Sequence, residues 1–371
     1  LNIQCHRFMN FWKNLPTPIM AGAPMADVTD APFRRLIAKY SSHKRQDGSI
    51  GGPDVMWTEF VAADGLVRAT EEGKKKLLAD LIYSEEERPI VAQLFTSNPE
   101  HMEKAANLCL DLGFDGIDIN MGCPDRSIEK QGCGSAMIKT PEVARGIIRA
   151  AKRGACSDKS DGIPVSVKTR LGYNEDQLEQ WLPTILEENP AALTIHARTR
   201  KELSKVPARW GRLADAVEIR NRINPDVLLL GNGDVLSIAD AEEKVQISGV
   251  DGVMIGRALF GNPWFFHPKK ELPVHLKALP TKGVNRDTLY EERDLVDGME
   301  YVSIEERLRV LVEHSYLFVE LLPFKNFSVM KKHYKAYVNS FKNAAELRAE
   351  LMELNSPEEV EQAVERFLLH Q

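Results

Sequence analysis

Cys123 stands in the run Asn120-Met-Gly-Cys-Pro124. Gly122 and Pro124 constrain the backbone on either side of it, so the thiol is aimed rather than loose. An aimed thiol can act as a nucleophile or as a proton donor. Cys133, in Gly132-Cys-Gly134, belongs to the same segment and is a rival for either role. Cys109 and Cys156 read as small buried hydrophobes. A second set of residues sits where short apolar runs end: Pro24-Met25, Glu59, Gln93, Asn120, Lys168 with Arg170, His196, Asn232 and Gly256-Arg257. Taken singly, each has an ordinary explanation, such as a solvated lysine or a satisfied core histidine. Their shared position is the signal, because parallel barrel strands would bring them to one rim. Gly231-Asn-Gly-Asp234 and Gly256-Arg257 offer exposed backbone N–H groups that suit a phosphate, and Arg257 adds a charged clamp. Two tight turns would need the same glycines. The rim as a whole suggests a phosphorylated cofactor or substrate.

The apolar runs that carry these residues are residues 17–23, 54–60, 89–95, 116–120, 164–170, 192–196, 227–232 and 252–256. They are Val/Ile/Leu-rich without clean alternation, as expected of parallel strands covered on both faces. Helical patterns separate them. Asn98-Pro99 and Thr140-Pro141 each place a capping residue before a proline at the first helical position. Val143, Ala144, Ile147, Ile148 and Ala151 then share one helical face. Eight such units predict an α/β fold, a (β/α)8 TIM barrel, over residues 1–267. A doubly wound open sheet is the alternative. It would carry a Gly-x-Gly-x-x-Gly turn after the first strand, where this chain reads Ala23-Pro-Met-Ala-Asp-Val.

Residues 268–302 lose periodicity at Pro268, Pro273, Pro280 and Gly283 and read as a linker or excursion. Residues 303–371 are purely helical. Ser303-Ile-Glu-Glu306 and Ser356-Pro-Glu-Glu359 are capping boxes, and Ile304, Leu308, Leu311, Val312 and Val319 form one stripe. The segment from Phe324 to Lys342 holds five lysines, five aromatics and no acidic residue. Lys331, Lys332 and Lys335 can reach phosphates there, and Tyr334 or Tyr337 can stack on a base. A helix with aromatics inside and lysines in water is the alternative, but an RNA binder needs a positive surface somewhere, which favours the first reading.

The chain has 371 residues, 43% hydrophobic and 27% charged, a composition that argues against disorder. No stretch approaches the eighteen apolar residues of a membrane-spanning helix, and Leu1 to Asn14 lack a signal-peptide core. Five cysteines without a Cys-x-x-Cys pair argue against a disulfide framework or a structural zinc, and favour a reducing, cytoplasmic setting. A net charge of −6 excludes a globally basic nucleic-acid binder but not a local basic face.

Several of these runs together resemble the dihydrouridine synthase family, flavin enzymes that reduce uridines in tRNA. They are Ala23-Pro-Met25, Gln93-Leu-Phe95, Gly116-Ile-Asp-Ile-Asn-Met-Gly-Cys-Pro124, Gly132-Cys-Gly-Ser-Ala-Met137, Lys168-Thr-Arg-Leu-Gly172, His196-Ala-Arg-Thr199, Gly231-Asn-Gly-Asp234 and Ile255-Gly-Arg-Ala258. The resemblance implies that Gln93, Lys168, His196, Asn232, Gly233, Asp234, Gly256 and Arg257 bind FMN, with Pro24 and Met25 under the flavin. It implies that Cys123 is the general acid, that Asn120 and Arg170 face the uracil, and that NADPH is the reductant. The substrate it implies is tRNA, with no membrane and no protein partner. Residues 201–210, 40–54 and 268–302 depart from the family pattern, the latter two resembling insertions. Two other functions fit parts of the pattern: a flavin barrel reducing a free pyrimidine or small enone, and an RNA-binding protein that keeps a flavin without turnover.

Overall fold

The structure, a computed structural model, describes residues 10–156, 162–272 and 300–370. Eight parallel strands form its centre: β1 (Ile19–Gly22), β2 (Met56–Trp57), β3 (Ile90–Phe95), β4 (Gly116–Asn120), β5 (Val165–Arg170), β6 (Ala192–His196), β7 (Leu228–Asn232) and β8 (Gly252–Ile255). Each pairs with the next from β2 to β8, and β8 returns to β1 through Ile19 opposite Gly252. Ala21 bridges Val55 just ahead of β2, and the Gly22 N–H donates to the Val55 carbonyl at 3.0 Å, which closes the ring. The expected (β/α)8 barrel is therefore the observed one, and the open-sheet alternative is excluded.

The barrel floor is apolar. Trp12, from the short turn Phe11–Asn14, packs with Ala21, Trp57, Val91, Ala192, Leu230 and Met254. Burial of this layer removes the lower barrel from water and leaves the polar tier above it as the open end. Helices Pro99–Asp111, Pro141–Gly154, Leu178–Leu186, Trp210–Ile223 and Ile238–Ser248 alternate with the strands. Asn98 caps the first of these, accepting from the N–H groups of Glu100 and His101 at 2.9 and 3.2 Å. Thr140, expected to do the same, makes no side-chain cap, and Pro141 alone marks that helix start. Of its predicted face, Ala144, Ile147, Ile148 and Ala151 are buried and Val143 is half-buried.

The chain divides into two compact units, residues 1–31 with 53–258, and residues 32–52 with 259–371. The second unit thus takes most of helix Ala31–Ser41 from the early chain. Phe33 stacks near His314 and His333, with ring centroids 5.5 Å from each, and the Tyr40 hydroxyl donates to Glu313 at 2.6 Å. Residues 40–54 contain an antiparallel pair, His43–Lys44 with Ile50–Gly51. The later helices are Ile304–Leu321, Lys331–Tyr337, Ala344–Leu351 and Pro357–Leu369. Ser303 and Ser356 cap the first and last, accepting from Glu306 and Glu359 N–H at 3.0 and 3.3 Å. The inward face of the first runs through Leu308, Leu311, His314 and Phe318, whereas Val319, placed on the apolar stripe by periodicity, is exposed. Most of the expected linker, residues 273–299, lies outside the described residues. Its ends pair as Lys270–Glu271 with Glu300–Tyr301.

Candidate active site

The strand register lines up the polar tier. Gln93 lies opposite Asp118, Asp118 opposite Ser166, Asn120 opposite Lys168, and Arg170 opposite His196, which lies opposite Asn232. With a period of two, Asp118 and Asn120 share one face of β4, as do Ser166, Lys168 and Arg170 on β5. Asp118 and Gln93 are fully buried. The Gln93 amide donates to Asp118 Oδ2 at 2.7 Å, and the Ser166 hydroxyl donates to Asp118 Oδ1 at 2.6 Å. The Asn120 amide donates to Gln93 Oε1 at 3.0 Å. Burial pushes the Asp118 carboxyl up to about 6, against the pull of Ser166, Gln93 and the Lys168 charge.

Above this floor the mouth is strongly cationic. Lys168 Nζ reaches Asn232 Oδ1 at 3.4 Å, and the Asn232 amide donates to the Met254 carbonyl at 2.7 Å. Burial, then the neighbouring Arg170 charge, lowers the Lys168 ammonium to about 8. Burial likewise brings Arg170 down to about 10. Burial and the surrounding cations hold His196 well below its ordinary 6.5, so its ring is neutral at pH 7. Arg198 donates to His196 Nε2 at 3.1 Å, and arginine has no acceptor, so the neutral ring carries its proton on Nδ1. Arg198 and Arg257 both pair with Asp234, which also accepts from the Ala208 N–H at 2.8 Å. Although burial opposes it, the Arg198 hydrogen bond leads the contacts that keep Asp234 below the usual carboxylate range. Asp234 thus fixes two arginines at the rim.

The segment after β4 carries further structure of its own. It contains the turn Arg126–Glu129 and the 3₁₀ stretch Gly134–Lys139. Asn120 Oδ1 accepts from the Gly122 and Cys123 N–H groups at 3.1 and 2.9 Å, and Arg170 Nε donates to the Gly122 carbonyl at 2.7 Å. The Cys123 carbonyl accepts from the Ser135 N–H and hydroxyl at 3.0 and 2.9 Å. Cys123 is half-buried, and burial pushes its thiol up, so it is protonated at pH 7. Cys133 is buried in a cluster with Phe95 and Ile128. Cys109 is fully buried as expected, but Cys156 is exposed and not a core residue.

The glycine loops are open on their N–H side. Among the described residues, the backbone N–H groups of Gly233, Asp234 and Gly256 have no acceptor in the protein. Gly233 has φ +125°, and an added Cβ there would meet Ala208 at 2.9 Å, so only glycine suits the turn. At Gly256 the nearest atoms to such a Cβ are Ala23 Cβ and Met25 Sδ, both at 3.7 Å. Uncommitted N–H groups beside Lys168, Arg170, Arg198 and Arg257 fit an anionic, phosphorylated group.

Sequence reasoning missed Asp118 and Arg198 as parts of this site. Asp118 was recoverable, since it shares the inward face of β4 with Asn120. In the other unit, Lys332 and Lys335 are exposed and Lys331 is half-buried, whereas Tyr334 and Tyr337 are fully buried. The expectation that either tyrosine stacks on a base is therefore overturned. In a seven-residue helix, burial of that side leaves only the lysine side in solvent.

Fold and mouth together define a (β/α)8-barrel protein with a cationic, hydrogen-bonding set of side chains at the C-terminal rim. The chain belongs to the dihydrouridine synthase family, whose model, "Dihydrouridine synthase (Dus)", matches residues 21–371. A relative named "Probable tRNA-dihydrouridine synthase 2" from Bacillus subtilis (strain 168) is 36% identical over 359 residues, covering 96% of each chain. A "Probable tRNA-dihydrouridine synthase" from Staphylococcus aureus (strain COL) is also 36% identical, covering 96% of this chain and 95% of its own. Among solved structures, the chain is similar to the 6-hydroxypseudooxynicotine amine oxidase of Pseudomonas geniculata N1, with TM-score 0.46 and 10% identity. That similarity covers 67% of this chain and about half (47%) of the oxidase. No helix among the described residues is long and apolar enough to cross a membrane.

Proposed function

We propose that this protein is a tRNA-dihydrouridine synthase that reduces the C5–C6 double bond of uridines in tRNA, using FMN and NADPH, in the cytoplasm. Family membership supports the reaction class. The observation that carries the reading is the half-buried, protonated Cys123 held at a mouth with Lys168, Arg170 and His196. Gln93, Lys168, His196, Asn232, Gly233, Gly256 and Arg257 would hold FMN, with Pro24 and Met25 beneath it and Asp234 orienting Arg257. When bound, FMN supplies the hydride delivered to C6 of the uracil. The protein's own residues do the rest. Lys168 offers positive charge for an anionic flavin. Arg170 and Asn120 orient the uracil, whose base must leave the RNA stack to arrive there. The Cys123 thiol gives its proton to C5, which suits a group whose burial keeps it protonated at neutral pH. Lys331, Lys332 and Lys335 contribute phosphate contacts on the helical unit.

The test is to supply purified protein with FMN, NADPH and unmodified tRNA, and to measure dihydrouridine by nucleoside mass spectrometry. Dihydrouridine in tRNA but not from free uridine is the expected result. Absence of both dihydrouridine and RNA-dependent NADPH consumption would refute the proposal.

A further inference from the structure

A carboxylate accepts hydrogen bonds and donates none, whereas a carboxamide does both through different atoms. That difference gives direction to the polar floor of the barrel. Asp118 accepts from the Gln93 NH2 at 2.7 Å, so Gln93 must turn its carbonyl the other way, toward Asn120. Asn120 donates to that carbonyl at 3.0 Å, so its own carbonyl faces the loop, where it accepts from the N–H groups of Gly122 and Cys123. Reverse either amide and two donors, or two acceptors, would meet inside a buried site. Ser166 secures the other carboxylate oxygen at 2.6 Å.

We propose that Asp118 is a positioning residue for Cys123, acting as the fixed acceptor that orients the Gln93–Asn120 amide relay onto the Cys123 backbone. This extends the proposed function, on which its relevance to uridine reduction rests. Asp118 need touch neither substrate nor cofactor. It orients the contact that holds the N–H side of the thiol-bearing loop, whose carbonyl side is held separately by Arg170 and Ser135.

The relay makes a specific demand: an acceptor at position 118, not a charge and not merely bulk. Asp118→Asn keeps size and can present Oδ1 to Gln93, while its NH2 donates to the Ser166 hydroxyl. Asp118→Leu keeps comparable size and removes the acceptor. The full-length protein, as purified, is treated with iodoacetamide across pH 7–9, and alkylation of the Cys123 peptide is followed by mass spectrometry. The expected result is an Asp118→Leu protein alkylated on the order of tenfold faster than wild type, from more frequent opening of a loop that has lost its Asn120 contacts and keeps only the carbonyl bonds to Arg170 and Ser135. Asp118→Asn should match wild type within about twofold, the relay having the same direction. Uridine reduction should fall on the order of 10- to 100-fold in Asp118→Leu and be largely restored in Asp118→Asn.

Equal alkylation of wild type and Asp118→Leu would overturn the proposal, leaving position 118 a packing residue. Asp118→Asn behaving like Asp118→Leu would also overturn it, because charge rather than acceptor geometry would then be responsible. If Asp118→Leu does not fold, the Asp118→Asn result alone still decides: a departure from wild-type alkylation refutes the relay. Alkylation needs neither tRNA nor NADPH. A wild-type protein inactive on tRNA would therefore refute the proposed function and leave the role of Asp118 to be decided by alkylation.

Discussion

Replacing Lys168 by methionine should stabilise the flavin-free protein while weakening its hold on flavin. Burial, then the neighbouring Arg170 charge, outweighs the pull of Asp118, and the lysine's proton affinity falls from the ordinary 10.5 to about 8 in the fold. That depression corresponds to a folded-state penalty of about 3 kcal/mol. The sign follows from proton binding. Below pH 8 both folded and unfolded states hold the proton, but the folded state holds it less well, so the penalty is present in full. Between 8 and 10.5 the folded state releases the proton first, and the penalty disappears. Methionine keeps the apolar stem but cannot make the weak 3.4 Å hydrogen bond to Asn232, which offsets part of the gain. A net gain of about 1–3 kcal/mol remains, or a midpoint rise of roughly 2–6 °C for a domain of this size. The assay is thermal unfolding of flavin-stripped wild type and Lys168→Met at pH 7 and pH 10, with and without added FMN. The variant should melt higher at pH 7, the difference should shrink at pH 10, and FMN should raise the midpoint of wild type much more. A variant that melts lower than wild type at pH 7 without flavin would refute the reasoning, because the buried ammonium would then be compensated within the protein.

Cys123→Ala should keep flavin and its reduction by NADPH but lose ~10²–10⁴-fold in dihydrouridine formation, while Cys133→Ala keeps most activity; rapid-mixing absorbance and product analysis separate the two steps. Gly233→Ala should abolish flavin retention, since both the φ of +125° and the 2.9 Å approach to Ala208 oppose a side chain; a protein that stays yellow would contradict the cradle. Changing Lys331, Lys332 and Lys335 to Glu should weaken tRNA binding and flatten log affinity against log salt by ~0.7–0.9 for each phosphate no longer neutralised. Identical slopes for wild type and the triple variant would make those lysines only a solvated helix face.

The strands were legible because their hydrophobic runs are continuous and their ends are polar. β4 and β6 begin and end where the sequence places them. β2 is shorter than its run of residues 54–60, and at the start of that run Asp54 is committed to β1: its N–H donates to the Met20 carbonyl at 2.7 Å and its carboxylate accepts from the Met20 N–H at 2.8 Å. Side-chain commitments of this kind leave no trace in periodicity. The same holds for Asp234, whose carboxylate is taken up by Arg198 and Arg257. Arg198 went unnoticed as a site residue because the motif draws attention to His196. Which arginine covers which acid depends on loops folding toward one another, and spacing along the chain does not encode that. The tyrosines of Lys331–Tyr337 show the limit from the other side. Composition reveals that aromatics and lysines share a helix, but only packing decides which side faces water.

The grouping of residues 32–52 with 259–371 bears on how the chain is made. A ribosome releases helix Ala31–Ser41 long before the helices that Phe33, Tyr40 and Ser41 pack against. Until Pro263, Trp264, Glu313, His314 and His333 emerge, the helix has an apolar side and no place to put it. The later unit therefore finishes as a closing act of synthesis. A gene fragment that starts at Leu259 or Ser303 encodes it without its first helix. Such a fragment should be insoluble or partly unfolded when expressed alone, and co-expressing or fusing residues 32–52 should rescue it. Any fragment meant to fold in isolation has to be cut to respect this interleaving, with the early helix carried along.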